Sequence, residues 1–376
     1  MRGSIAKRGN TYTYIVDIGK DLATGKRRQK TKGGFSKKKD AQIAMIKIIT
    51  EINENTFIEQ SPENFSDFIT DWMVNHYKRR VKETTFSSRK YLIEKHLLKD
   101  NLFSKVPLSS ITTKHIDNFY NIKLEAGYSR STVRKLHQLL NLALTQAVKW
   151  NKIKFNPVLN TDPPSEAKKE IQIWSFEEIR QFLKKCSEER LYIAFLLAIY
   201  TGMRKGEILG LKWSDINFTK KTIKTERTLS HIPKLGYILT SVKTKNSNRQ
   251  IPISDNIIIE LKKLKDSQIT LKKRLGSLYQ DSNLIICTET GTFQDPKNLM
   301  RVMKRAIKNS GVSTIRFHDL RHTHASILLS EGVDIVKVSS RLGHSNPKVT
   351  LEFYAHLVPN IDDDVAEIFH SAIGNF

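Results

Sequence analysis

Two interruptions constrain this chain before any secondary structure is assigned. Ser61-Pro62 closes a short basic segment, and residues 161–169, rich in Pro, Ser and charge, make a second break. Such a stretch has too little apolar surface to join a core, and its prolines favour extended backbone, so it reads as a linker. The 376 residues are therefore expected to form two or three domains of the usual ~100 to 200 residues. The boundaries read from these breaks are 1–58, 61–160, a linker over 161–172, and 173–376.

Residues 10–18 have strand composition, and residues 26–32 form a basic second strand that Gly33-Gly34 is expected to break. A helix should follow, capped by Ser36, with Ala41, Ala44, Met45, Ile48, Ile49 and Ile52 on one face. Residues 63–155 read as several helices. Phe65, Phe68, Ile69, Trp72 and Met73 make one apolar stripe, and Tyr91, Leu92, Lys95 and Leu98 a second. Val133, Leu136, Leu140, Ala143, Leu144, Ala147 and Val148 make a third, ended by Asn156-Pro157.

Beyond the linker, Ser175 and Glu178 form a capping box. An apolar helix over 191–200 stops at Gly202, as glycine commonly does past a helix end. Residues 222–228, 237–243 and 249–253 look like three strands, with Asn246-Ser247-Asn248 as the turn between the last two. Helices return near Asn256 and Pro296, and another runs from about His318 to Leu329. There is no internal repeat.

A net charge of +25 and a pI near 9.8 exceed what solubility needs and point to a polyanionic partner, for which nucleic acid fits best. The excess is +7, +9 and +9 over residues 1–60, 61–160 and 161–376, so extended contact with phosphates explains it better than a basic tail. Candidate DNA contacts in the first segment are Lys26, Arg27, Arg28 and Lys30, with Lys32 and Lys37 to Lys39 nearby; basic strands can enter a groove. In the second they are Lys78, Arg79, Arg80, Lys82, Arg89, Lys90, Arg130, Arg134 and Lys135, on the helix faces opposite the apolar stripes. A solvated charge run is the competing reading.

Two cysteines, Cys186 and Cys287, are too few for a disulfide framework or a structural zinc site, so a reducing, cytoplasmic setting is expected. No N-terminal apolar signal is seen, and the longest apolar stretch, residues 192–200, is about half the ~20 residues that span a bilayer.

The chemistry concentrates in two places. Thr201-Gly202-Met203-Arg204-Lys205-Gly206-Glu207-Ile208 is one. The other holds His318-Asp319-Leu320-Arg321-His322, Leu342-Gly343-His344 and Tyr354. Two arginines, histidines and a tyrosine gather there, while the carboxylate cluster of a metal-dependent phosphoryl-transfer enzyme is missing. That set suits metal-free attack of a tyrosine on a phosphodiester. Planar guanidinium groups bind two nonbridging oxygens bidentately and stay charged at any working pH, which suits Arg204 and Arg321 as a clamp. Glu207, three residues after Arg204, can orient that arginine or a neighbouring histidine, or form a simple surface pair. His318 and His344 titrate near neutrality and can move a proton or hydrogen-bond the phosphate. Tyr354 would attack as a phenolate, and the two arginines supply positive potential that favours its ionisation.

The motifs TGMRKGEILGLKW, VKTKNSNRQIPI, HDLRHTHAS and LGHSNPKVTLEFY resemble, in order and spacing, those of the tyrosine recombinases of the phage and mobile-element integrase family. The resemblance covers essentially the whole chain. It implies a catalytic set of Arg204, Lys243, His318, Arg321, His344 and Tyr354. Lys243, on its hairpin, would protonate the leaving 5′ oxygen; Lys245 lies close by, and the motif alone selects Lys243. The implied fold is multidomain α+β: an arm-binding domain of a small three-stranded sheet plus helix, a helical core-binding domain, and a mostly α catalytic domain with a small antiparallel sheet. The resemblance further implies double-stranded DNA with core and arm sites as substrate, a tetramer on that DNA, a Holliday-junction intermediate, and integration or excision of a mobile element in a bacterial host, on the nucleoid. It leaves room for an excisionase or a host DNA-bending protein. No cofactor, metal or membrane partner is implied. The C-terminal stretch 362–376, with Val365, Ile368, Phe369 and Ile373 on one face, would pack on its own domain or dock on a neighbouring protomer.

Three other readings compete. A type IB topoisomerase would share the tyrosine chemistry without needing a sequence, and a catalytically silent regulator would bind DNA without attaching to it. His318 and His322 at i and i+4 resemble a zinc-hydrolase pair, but Asp319 has a shorter reach than glutamate and Arg321 sets a cation beside any metal. His324, His356 and His370 read as packing or surface residues.

Overall fold

β2 (Thr11–Lys20) pairs on both edges and is the central strand of an N-terminal antiparallel sheet, flanked by β1 (Gly3–Arg8) and β3 (Arg27–Phe35). This computed structural model describes residues 3–20, 24–54, 57, 63–99, 103–165, 172–233, 235–241, 247–344, 346–354 and 370. The chain divides into two compact units, Met1–Ala167 and Lys168–Phe376. The sheet and the helix α1 (Lys38–Asn53) bury Tyr14, Val16 and Ala41. β1 was not among the expected strand segments, because its short, exposed sequence carries little apolar alternation.

Two local expectations are corrected here. Gly33-Gly34 does not end the second strand: β3 runs through the pair, whose two residues oppose the single Thr13 in a bulge between the Tyr12–Phe35 and Tyr14–Lys32 pairs. Thr13 is buried and packs so closely that a Cβ on Gly33 would lie 2.7 Å from its Oγ1. Ser36 does not cap the helix. Lys37 takes the N-cap position, with no side-chain cap bond.

The rest of the first unit is helical. α2 (Phe65–Asp71) continues into a π-helical stretch, Trp72–Tyr77. α3 (Glu83–Ile93) continues likewise into Glu94–Leu98. α4 (Thr113–Glu125) opens with a Thr112–His115 capping box, and α5 (Arg130–Lys149) is capped by Ser129. The first and third apolar stripes are buried as expected, Val148 only partly. The second is corrected in part: Leu92 and Leu98 pack against the core, but Tyr91 is exposed, with the Lys95 ammonium 5.5 Å from its ring centroid, while Phe86, Ile93, His96 and Leu97 are buried. A charged, aromatic-rich helix with a π-helical end has no clean 3.6-residue signal, so spacing alone does not separate its buried face from its exposed one. α5 stops at Lys149, before Asn156-Pro157; Asn156 instead caps a 3-10 turn, Pro157–Asn160.

The second unit is built on α6 (Phe176–Cys186) and the apolar α7 (Tyr192–Thr201). Next come α8 (Lys205–Leu209), the strands β4 (Ile216–Asn217), β5 (Thr222–Thr225), β6 (Arg227–Ile232), β7 (Gly236–Ser241) and β8 (Arg249–Pro252), and the helices α9 (Asp255–Leu275) and α10 (Pro296–Ser310). The expected strand 222–228 divides at Glu226 into β5 and β6. β7 and β8 do not pair with each other across Asn246-Ser247-Asn248: β7 pairs with β6, and β8 with β5, in two small antiparallel sheets. Three helices complete the unit: α11 (Asp319–Ser330), α12 (Ile335–Leu342) and α13 (Pro347–Tyr354). Among the described residues no helix is long and apolar enough to cross a membrane.

Candidate active site

The carbonyl end of α12 gathers the site. Gly343 closes this helix, its N–H bonding Ser340 O while the N–H of His344 bonds Ser339 O. The last carbonyls of a helix carry partial negative charge and lack intrahelical partners, so cations are favoured there. Three guanidinium groups take them. Arg249 Nε donates to Arg341 O at 2.7 Å, Arg321 Nη2 to Leu342 O at 2.7 Å, and Arg204 Nη2 more weakly to Gly343 O at 3.5 Å.

Each arginine reaches that end from a different element. α7 is stopped by Gly202 in the left-handed region (φ 64°), where a Cβ would lie 2.6 Å from Leu342 Cδ2 and 2.8 Å from His324 Cδ2. Met203 is buried, and Arg204 follows in extended backbone as the N-cap of α8. Arg321 lies in the first turn of α11, 3% exposed, and its Nη1 donates to Gly202 O at 2.8 Å. Burial, then the Arg204 and Arg249 cations, lower its pKa to about 9, so it remains charged at neutral pH.

Glu207 is no surface pair. It is 3% exposed, accepts the Arg204 backbone N–H (3.0 Å) and Nη1 (2.9 Å), and on its other side pairs with Arg249 Nη2 at 3.1 Å. Burial alone would raise its pKa. Arg249, with Arg204, outweighs that and holds the carboxyl below its ordinary value.

The histidines and the tyrosine come from α11 and the segment after α12. His318 precedes α11; partial burial, then Arg321 and Arg204, lower its pKa. His344 Nδ1 shares a 2.7 Å hydrogen bond with the buried Thr350 Oγ1, and burial with Arg321 and Arg204 lowers it to about 4. Asn346 and Pro347 open α13, which carries Tyr354 at its end. Tyr354 is 2% exposed, packed with Ala325, Leu329, Val338 and Leu342, and its hydroxyl bonds His322 Nδ1. Arg321 lowers its pKa, as expected of the arginines, but burial is the larger effect and raises it overall.

Arg204, Glu207, His318, Arg321, His344 and Tyr354 thus surround one site. Lys243, with Lys245, lies outside the described residues, as do His356 and the stretch 362–376 except the exposed His370. His324 is buried, its Nδ1 bonded to Ile199 O and its Nε2 accepting from Arg341 Nε. Among the described residues no group of three or more His, Cys, Asp or Glu could hold a metal ion. Sequence reasoning passed over Arg249 and Thr350, and weighed His322 only as a zinc ligand. Arg249 stands inside the quoted VKTKNSNRQIPI motif, but nothing local says that it turns toward Glu207.

The candidate DNA contacts divide. Lys26, Arg28, Lys78, Arg79 and Arg80 are exposed, and Lys30 is half-buried. Arg27 pairs with Asp17 at 2.7 Å and Lys90 with Glu94 at 3.6 Å. Arg89 reaches Lys135 O at 3.5 Å, while Arg130 and Arg134 donate to the carbonyls of Ser165 and Pro164.

Comparison with known proteins decides the family. Residues 173–360 match the phage integrase family, 3–52 an arm DNA-binding domain, and 64–124 the SAM-like N-terminal domain of phage integrases. A XerC-like tyrosine recombinase of Caldanaerobacter subterraneus subsp. tengcongensis is 30% identical over 379 residues, covering 96% of each chain. The chain belongs to the phage integrase family. It is a tyrosine recombinase, an enzyme of site-specific recombination. The ICEBs1 integrase of Bacillus subtilis is 28% identical to this integrase, over 95% of the chain and 96% of the relative. The fold is that of solved integrases. A Tn1549 transposon integrase in complex with circular-intermediate DNA superimposes with a TM-score of 0.69 at 19% identity, covering 83% of this chain and 99% of that one. A lambda integrase from a tetramer bound to a Holliday junction gives 0.55 at 19% identity, over 95% and 96%.

Proposed function

We propose that this integrase cleaves and rejoins double-stranded DNA through a 3′-phosphotyrosyl intermediate formed by Tyr354. The phenol oxygen bonds to phosphorus, the bond to the 5′ oxygen breaks, and that oxygen takes a proton from Lys243. Rejoining reverses the step with a 5′ hydroxyl from the partner strand. One phosphoester replaces another throughout, so no ATP is required. Arg204 and Arg321 neutralise the nonbridging oxygens, Glu207 holds Arg204, and His318 and His344 hydrogen-bond the phosphate or move protons. The observation that carries this reading is the convergence of Arg204, Arg321 and His344 at the end of α12, in one site with Tyr354.

The domain reading goes with it: residues 1–58 bind outlying arm sites, 61–160 form the core-binding domain, and 173–376 form the catalytic domain, with 161–172 as the linker. The enzyme works in the cytoplasm, on the nucleoid, as a tetramer on DNA, integrating and excising a mobile element with an excisionase or a host DNA-bending protein setting direction. The charge of +25 supports the DNA partner. The exposed Lys26, Arg28, Lys78, Arg79 and Arg80 are candidate phosphate contacts.

A core site is first selected from random duplexes with Tyr354→Phe protein. A nicked half-site then traps the intermediate: wild type forms a covalent protein–DNA band, unchanged by EDTA, and Tyr354→Phe forms none. A band from the phenylalanine variant would exclude Tyr354 as nucleophile.

A further inference from the structure

Tyr354 presents a chemical difficulty. Its hydroxyl must lose a proton to attack, yet the side chain is 2% exposed and burial raises its pKa, so neither bulk water nor prior ionisation serves it. The hydroxyl is bonded to Nδ1 of His322, one residue after Arg321 on α11, with ring centroids 5.7 Å apart. We propose that His322 is the proton acceptor for Tyr354 in strand cleavage, a catalytic residue beyond the six assigned above. The inference rests on Tyr354 being the nucleophile.

Several groups shape the imidazole. His318 stands edge-on to it at 5.1 Å between ring centroids, and Asp319, Arg321 and the preceding Arg316 act on it from the α11 side. His344 lies within electrostatic reach, and Tyr354 comes from α13. Burial first, then His318, lowers its pKa to about 4, so at neutral pH the ring is uncharged and one nitrogen carries a free electron pair for a donor. A weak base suffices. As the phenol oxygen bonds to phosphorus its proton becomes strongly acidic, and transfer to Nδ1 proceeds with attack. The O–H bond breaks, the O–P bond forms, and the 5′ oxygen leaves with its electron pair and takes a proton from Lys243. On rejoining, the imidazolium returns its proton to the departing Tyr354 oxygen.

Single-turnover cleavage of the nicked half-site separates proton transfer from mere packing. The variants are His322→Ala and His322→Asn, with wild type and Tyr354→Phe as controls, assayed from about pH 5.5 to 9. Asparagine can accept the tyrosine hydrogen bond but cannot take up its proton. Both His322 variants should cleave roughly 10²-fold or more slowly at neutral pH. Their rates should climb with pH as the unassisted phenol ionises, while wild type varies less. Added imidazole should restore part of the His322→Ala rate. Gel-shift affinity and melting temperature, measured alongside, show that each variant is folded and binds DNA. His322→Asn cleavage within about threefold of wild type, with an unchanged pH profile, would overturn the proposal. That result, with the band present in wild type and absent from Tyr354→Phe, would leave the nucleophile assignment standing. A band from Tyr354→Phe would remove both.

Discussion

Glu207 and Arg249 form a buried pair, 3% and 7% exposed at their side chains, whose partners come from α8 and β8. Removing one partner strands the other charge in the interior, at a cost of about 3–5 kcal/mol. Arg249→Met and Glu207→Gln should each lose stability on that scale in chemical denaturation, and the double variant should lose less than the sum. Additive losses would show that the two side chains do not couple. The histidines set a pH window. His322 and His344 fall to about 4 and His324 to about 3, from an ordinary 6.5, with burial the first cause in each. Between those values the unfolded chain binds more protons than the folded one. Stability is therefore complete above pH ~6.5 and declines as pH falls toward 4. A melting temperature that stays flat over this interval would contradict the burial of these rings. At this scale the sequence singled out Arg204, His318, Arg321, His344 and Tyr354, because their motifs are short and contiguous, and the structure brings these five together. It did not carry the partners of Arg249 or His322, which are set by side chains 42 and 32 positions away.

The end of α12 shows what one short helix does for the candidate site: its last carbonyls hold Arg249, Arg321 and Arg204, and the next residue, His344, stands beside them. The stop of α7 is fitted to it. Gly202→Ala would place a methyl against Leu342 and His324 at a positive φ, and should destabilise the protein by more than ~1 kcal/mol while displacing Arg204. Reduced cleavage by Gly202→Ala without any loss of stability would mean that the packing of α7 against α12 is not what positions Arg204. Elements with strong local signals were legible from sequence: the Ser175–Glu178 capping box, the apolar α7 and the amphipathic α5 all stand where the residues indicate. Two of the failures had no local signal at all. Strand partners are chosen by tertiary contacts, so the pairing of β7 with β6 rather than β8 has no local code, and the Gly33-Gly34 pair reads as a break until Thr13 is seen packed against it.

Across the whole molecule the basic excess is distributed, so DNA binding should weaken steeply with salt rather than depend on a single segment. Removing residues 1–55 should spare cleavage of an isolated core site and abolish recognition of the arm sites, tested by half-site cleavage and gel shift on each DNA. Failure to cleave the core site would mean that the N-terminal sheet takes part in core binding. The two breaks, at 61–62 and 161–169, fall between the matched segments 3–52, 64–124 and 173–360, and the second coincides with the division between the two compact units.

By itself the sequence determined the α+β class, the helices with clean apolar stripes and the residue types of the candidate site. These are properties of spacing within one turn or one motif. Only the tertiary structure decided that Glu207 is buried between two arginines, that His322 meets the tyrosine hydroxyl, and that Tyr354 is harder rather than easier to ionise. Those outcomes depend on packing density and on charges brought together from distant segments. For Tyr354 the loss of solvent outweighs the attraction of Arg321, a balance that exists only once the chain has closed around it.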